Sequence, residues 1–369
     1  MRRRQGGFSL IEFMVALLLS VTLGIAVISV FVGSRNAYQS TAGVGALADG
    51  GRFALDTIQE SARGAGFMEC NHATSITSQV LLDSLGSPLA YDFRYGVSGY
   101  ESTGTSPGNS FTLAAAPVAD PSAADWAPAL DGAFNSTRNK QVNGNDVLVF
   151  RSSIPRGAPS YTNADITNGA SSFVVTNAGS LQAGQLAVIS DCTKSVAFQI
   201  GTVAGTTPAT VSFAGATGTP GNTVATLPFG FSAGALVSPV TTVVYYIGLG
   251  DDGYSALKRL ELLDGKVNGA QIFTDEEVSP DIENMQVLYG IDTTGTKVAS
   301  AYVTANQVTD WDSVVAVRVA VLSASPTGAG PKPETAPTFS LLGTTITAPI
   351  DTRLRKVFDI TVTMRDAVE

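Results

Sequence analysis

Apolar and polar positions divide the chain into three stretches. From Phe8 to Gly33 every residue is apolar or small and polar except Glu12. At about 1.5 Å per residue, a helix over this stretch is ~39 Å long, enough to cross a hydrocarbon core of about 30 Å with some tilt. From Ser34 to Phe67 the helical period continues but its chemistry changes. Leu47, Gly51, Ala54, Ile58, Ala62 and Ala65 fall on one stripe, and Asp49, Arg52, Asp56, Glu60 and Arg63 on another, with opposite charges three or four apart. This reads as an amphipathic helix resting on a domain. Gly43, Gly45, Gly50 and Gly51 each cost about 1 kcal/mol relative to alanine in a helix interior, so the middle of this half is its weakest part. Gly64 and Gly66 supply the stop.

Beyond Cys70 the period shortens towards two. Strands are expected at Asp146–Arg151, Ser172–Thr176, Gln185–Ser190, Ser195–Val203, Thr241–Leu249, Leu257–Leu263, Met285–Ile291, Ser313–Ser323 and Lys356–Met364. Along Val314 to Val321 the parity places Arg318 with small residues and larger apolar ones opposite, which implies a half-exposed antiparallel sheet. Gly104–Asn139, Pro155–Ala170, Gly205–Pro239 and Ser325–Pro349 read as long connections, and no repeat of fixed period is present. The expected class is α+β: one long N-terminal helix packed on a large antiparallel β-rich head. Its divisions are 1–7, 8–33 (apolar half of the helix), 34–67 (amphipathic half) and 68–369 (head).

Composition agrees. Gly 38, Pro 17 and only 14% charged residues suit a loop-rich β protein, and 22 basic against 31 acidic residues give −9. Such an acid excess opposes nucleic-acid binding, which needs cations to neutralise phosphates. The sole histidine, His72, has no second histidine to complete a metal site and is expected in an exposed turn. Asp251-Asp252-Gly253 reads as a turn between strands, because the spaced ligands of a calcium loop are missing. Asp275-Glu276-Glu277 reads as a solvated turn. Trp126 and Trp311, each flanked by Asp, are expected in the core or at a sheet edge, with stacking on sugar as the competing reading. No P-loop or dinucleotide fingerprint is present. No catalytic residue, metal or cofactor is expected, and the protein is read as a non-enzyme.

Arg2, Arg3 and Arg4 before the apolar run favour a cytoplasmic N-terminus, which places everything after Gly33 across the membrane. In that compartment Cys70 and Cys192 form either a disulfide or two buried free thiols. A bridge closing so long a loop contributes up to about 4–5 kcal/mol in the chain-entropy model. Glu12 is the anomaly, since a carboxylate at membrane depth costs about 2.5–3.5 kcal/mol unless paired. It either reaches water at the helix end, takes up a proton, or meets a cation. Cleavage after Gly7 creates such a cation, the new α-amine of Phe8.

The run Gly7-Phe8-Ser9-Leu10-Ile11-Glu12 after a basic leader resembles the processing motif of type IV prepilins and type II secretion pseudopilins. The resemblance implies cleavage between Gly7 and Phe8 by a prepilin peptidase, N-methylation of Phe8, and a packing role for Glu12 in the filament. The first proline is Pro88, so the proline kink of many major pilins is missing. In the head, Gly51-Arg52-Phe53-Ala54-Leu55, Ala65 to Cys70, Gly144-Asn145-Asp146-Val147-Leu148, Ser190-Asp191-Cys192, Tyr289-Gly290-Ile291-Asp292 and Asp310 to Val314 resemble the PilW group of minor pilins, and Phe358 to Asp366 its closing strand. Gly205–Pro239 matches nothing in that group and reads as an insertion.

This resemblance implies a structural subunit that initiates or caps a type IV pilus. Its partners are other minor pilins, the major pilin, a pilus-tip adhesin, the prepilin peptidase and the inner membrane, with no nucleic acid. Its location is the bacterial inner membrane with a periplasmic head, then the pilus at the cell surface. The alternatives are a J-type pseudopilin of a type II secretion system and a pilus-tip adhesive module.

Overall fold

The computed structural model describes residues 9–68, 71–72, 77–79, 91–119, 122–130, 141–153, 158–191, 193–213, 221–262 and 273–364. A single α-helix, α1, runs unbroken through Leu10–Gly64. It ends where the glycines were expected to end it: Ala65 is already extended, its N–H donating to Ala62 O, and Gly66 takes a positive φ of 81°.

Each of the nine expected strands is present, with ends shifted by a few residues, and others lie in stretches read as loops. Among the described residues the strands form sheets of twelve, four, three and two members. The four-stranded sheet runs Ala301–Val303, Ile282–Ile291, Val314–Ala324, Arg355–Thr363, all antiparallel. The amphipathic half of α1 lies on one of its faces. Ala54, Ile58 and Ala62 share a core there with Met285, Val319 and Val362, and with Tyr245 and Leu257 of the large sheet. Gly43, Leu47, Gly51, Ala54, Leu55, Ile58 and Ala62 are buried, which is the expected stripe with Gly43 and Leu55 added. Gly43, Gly50 and Gly51 are explained by close approach. A Cβ on Gly51 would strike the Phe358 ring, while Ser323 Oγ donates to Leu47 O at 3.0 Å and Ser279 Oγ to Gly50 O at 3.1 Å.

The half-exposed reading of Val314–Ala324 is corrected. Its second face is covered by the three-stranded sheet Thr338–Leu341, Thr344–Thr347 and Ser110–Thr112, so that Ala320 and Leu322 are buried with Leu341 and Ile346. Only Arg318, paired with Asp359 at 3.2 Å, remains half-buried. These covering strands come from stretches read as loops, because Thr- and Ser-rich strands look like turns by composition alone. Asp275-Glu276-Glu277 is likewise corrected: it lies in the strand Phe273–Pro280, where Asp275 accepts from Lys258 Nζ and Glu276 from Arg259 Nη2, each at 2.7 Å. Cross-strand cations turn an acidic run into a charged sheet edge. Asp251-Asp252-Gly253 is the expected turn between Leu236–Leu249 and Ser255–Leu262. His72 sits in a two-residue strand, Asn71–His72, rather than a turn.

A second core lies apart from the helix. The first residues of Leu236–Leu249 pair with Leu186–Asp191, which pairs with Lys194–Gly205, then Ala209–Phe213, then Ser172–Val175. Thr162 bridges to Val175, while Tyr161 and Ser160 pair back to Leu236 and Val237, so the circuit closes into a small barrel. Phe173, Phe198 and Phe213 pack on one another inside it, with ring centroids 4.6–6.1 Å apart.

Gly144-Asn145-Asp146 clamps the large sheet to the four-stranded one. Asp146 accepts from Ser102 N at 2.9 Å and from Val287 N at 2.8 Å, and Asn145 Oδ1 accepts from Met285 N at 2.9 Å. Asn284 and Gln286 both donate to Gly144 O. Gly144 holds φ 82° with Phe111 where a Cβ would stand, so only glycine fits.

Candidate functional site: the helical anchor

The helix begins with a reciprocal cap. Ser9 Oγ accepts from Ile11 N at 3.3 Å, and Glu12 Oε2 accepts from Ser9 N at 2.9 Å. The spacing Ser9-x-x-Glu12 is a capping box, a signal present in the sequence but absorbed there by the processing motif. Glu12 therefore has a partner inside its own subunit, and its negative charge lies at the positive end of the helix dipole.

From Leu10 to Val32 the apolar side chains are exposed on every side: Leu10 by 75%, Phe13 by 65% and Phe31 by 68%. A helix exposed all round and apolar all round has no place in water and fits a bilayer. Its few hydroxyls make no exception. Ser20 Oγ donates to Leu17 O, Thr22 Oγ1 to Leu19 O and Ser29 Oγ to Ala26 O, each at 2.8–2.9 Å, so no hydroxyl needs water. Among the described residues this is the helix long and apolar enough to span a membrane.

Gly7 and Phe8, the expected cleavage and methylation positions, lie outside the described residues, as do Cys70 and Cys192. The segments carrying the cysteines are nevertheless joined two residues upstream of each, where Ser190 Oγ donates to Met68 O at 2.8 Å. Trp126 is buried and its Nε1 donates to Asn145 O at 2.8 Å, which is the core role expected; Trp311 is half-buried, edge-on to Tyr289 at 4.9 Å.

Two features of the head went unread in the sequence because their residues are far apart along the chain. Arg353 and Arg355 converge on Glu283, with Asp351 holding Arg355 and Asp281 holding Arg353, beside a hollow of about 320 Å³. Glu101 is buried near Asp146, and loss of hydration pushes its carboxyl up to about 7 against a hydrogen bond from Ser106. Burial and the charge of Glu101 also push Asp146 well above the usual carboxylate range.

A helix of this kind, with one half bare and apolar and the other sealed into a β-rich head, fits a membrane-anchored pilin. Comparison with known families agrees. Residues 2–32 match the prokaryotic N-terminal methylation motif, and residues 244–366 match the type IV pilus-assembly protein W family, PilW. Together they support a PilW-type type IV pilin, in a minor-pilin role. The PilW match includes the closing strand and the Tyr289 and Asp310 segments, while the Gly51, Gly144 and Ser190 segments lie outside it. The families matched are structural pilins rather than known enzymes, and the motif implies prepilin peptidase processing and contact with other pilus components. Among solved structures, a type IV-like pilin from Thermus thermophilus is similar at 21% identity over 35% of this chain and 70% of its own, with a TM-score of 0.21. No curated protein matches the chain.

Proposed function

We propose that this protein is a minor pilin that helps initiate assembly of a type IV pilus or forms its tip. The two-sided division of α1 carries the reading: its apolar half is bare over its whole circumference, while its second half is fixed to the head by buried glycines and alanines. Prepilin peptidase cuts between Gly7 and Phe8 and Phe8 is methylated. The N-terminus stays cytoplasmic and the head folds in the periplasm before display at the cell surface. There Cys70 and Cys192 form a disulfide, a pairing supported by the Ser190–Met68 hydrogen bond. In the filament Glu12 leaves its cap on Ser9 and pairs with the Phe8 amine of a neighbour. Other minor pilins, the major pilin and a tip adhesin are the partners.

N-terminal mass spectrometry of membrane-extracted protein, with co-purification against sheared pili, tests this. The expected result is a mature chain starting at methylated Phe8 and recovered with the filament. A chain still starting at Met1, or one absent from filament and minor-pilin complex alike, would overturn it. Intact mass without reductant is expected to show both thiols blocked from alkylation, and two free thiols would refute the bridge.

A further inference from the structure

A cleft of about 160 Å³ opens where the residues before and within Val97–Ser102 meet the turn leading into Val314–Ala324. It is lined by Asp92, Tyr95, Ser98, Tyr100, Arg151 and Trp311. Polar groups are built into its floor. Arg151 is buried, its two terminal nitrogens donating to Tyr95 O at 3.3 Å and Ser98 Oγ at 3.1 Å. Asp92 is buried and takes Arg94 in a fork at 2.7 Å through both oxygens; Oδ1 also accepts from Arg94 N at 3.4 Å, so Oδ2 is the oxygen that keeps a lone pair for a ligand hydroxyl. Trp311 stands half-exposed at the wall, its ring held edge-on by Tyr289, with ring planes at 89°. A rigid indole face next to a planar fork of donors and acceptors has one natural complement. That complement is a ring with C–H bonds on one face and adjacent hydroxyls on its rim.

We propose that this cleft binds a single neutral hexopyranose at the end of a glycan, with the sugar's apolar face on Trp311 and adjacent hydroxyls shared between Asp92 and Arg151. The volume suits one sugar ring rather than an oligosaccharide. The charge selects against acidic sugars: Asp92, Asp310 and Asp312 outnumber Arg94 and Arg151, and burial together with Asp310 pushes Asp312 up to about 6, so a further carboxylate is repelled. The Trp311 segment belongs to the PilW match, while Asp92 and Arg151 do not. This activity is separate from filament assembly and is measured on isolated protein.

The test uses full-length protein in a zwitterionic detergent free of sugar headgroups, since glycoside detergents would compete. Methyl glucoside, galactoside, mannoside and N-acetylglucosaminide are titrated by tryptophan fluorescence and saturation-transfer NMR, with sialic acid and glucuronate beside them. At least one neutral glycoside is expected to bind, with saturation strongest at the ring protons of one face. Trp311→Ala is expected to weaken it by about tenfold or more, the equivalent of one aromatic contact. Trp311→Phe, which keeps the packing on Tyr289, retains part of the affinity, and Trp126→Phe leaves it unchanged. Asp92→Asn weakens binding without changing Trp311 emission in the free protein. Absence of neutral-sugar binding in wild type, binding that survives Trp311→Ala, or preference for the acidic sugars would each overturn the proposal, and the wild-type result stands even where a variant fails to fold.

Discussion

Glu12 has two demands on one carboxylate. Within the subunit it closes the helix cap with Ser9 N at 2.9 Å; in a filament it is expected to face a neighbour's new amine. The substitutions Glu12→Gln and Glu12→Leu separate these roles. Gln keeps an acceptor for Ser9 N and removes the charge, whereas Leu removes both, a loss of about 0.5–2 kcal/mol of helix-end stability. Both variants are expected to insert and be cleaved, and both to be depleted from sheared pili. Normal recovery of Glu12→Gln would show that the carboxylate acts only as a cap. Gly51 poses a second residue-scale question, since helix propensity favours alanine there by about 1 kcal/mol while the Phe358 ring fills the place of the methyl. Overpacking costs about 1–3 kcal/mol, so Gly51→Ala is expected to destabilise on balance. Gly45 meets nothing within 4 Å, and Gly45→Ala is expected to stabilise by up to ~1 kcal/mol. Chemical denaturation of the two variants in detergent checks the opposed signs. The sequence marked both glycines as weak points of the helix; only packing shows that one is a fitted contact and the other a true cost.

At the scale of elements, the junction of the two large sheets hangs on Asp146, whose two oxygens serve one strand of each. Asp146→Asn turns one acceptor into a donor facing an N–H and is expected to cost about 1–3 kcal/mol, read as a lower denaturant midpoint. The same junction is pH-dependent through Glu101. Its carboxyl is raised from 4.5 to about 7 in the folded protein, so the folded state holds a proton that the unfolded chain releases. The stability this confers is full below about 4.5 and is lost as pH rises through about 7. Asp312, raised to about 6, has the same sign. Asp146, raised by burial and by the Glu101 charge, has the same sign too, so the melting temperature is expected to fall from pH 5 to pH 8 and Glu101→Gln to reduce that slope without abolishing it; an unchanged slope would place its origin elsewhere. The elements themselves were largely legible. Strand-like apolar runs marked the nine strands, some with clean alternation as in Val314–Val321, and the 3.6-residue stripe marked the buried face of α1. What escaped were short strands in which a single Val or Ile stands among Thr, Ser and Ala, such as Ala209–Phe213 and Thr344–Thr347, and the acidic edge Phe273–Pro280, where Lys258 and Arg259 on the neighbouring strand pair with Asp275 and Glu276. The cap at Glu12 and the processing motif were legible as short spacings. The Trp311 cleft was not, because Asp92, Arg151 and Trp311 meet only through sheet pairing.

The whole molecule contains two principal cores at different distances from the membrane helix. One joins α1 to the sheets, and the other fills the closed barrel, which lies outside the stretch matching PilW. The strand Leu236–Leu249 links them: its first residues close the barrel, and later ones, Tyr245 among them, pack on α1 through hydrogen bonds to Ser61 and Thr57 O. If each core is stabilised mainly by its own contacts, damage to one leaves the other protected. Phe198→Ala removes a fully buried ring from the barrel at a cost of about 3–5 kcal/mol, and Ile58→Ala opens the helix core at about 2–5 kcal/mol. Amide hydrogen exchange on the full-length protein in detergent is expected to show faster exchange confined to 160–237 in the first variant. In the second, faster exchange is expected in α1 beyond Leu47 and in the strands beneath it, with the barrel unchanged. The shared strand sharpens the test, because in each variant only its matching half is expected to lose protection. Should Phe198→Ala also release the α1 amides, the strand transmits the loss and the head unfolds as one cooperative unit. A confined response instead means that the barrel can vary in sequence without disturbing the helix packing on which anchoring depends.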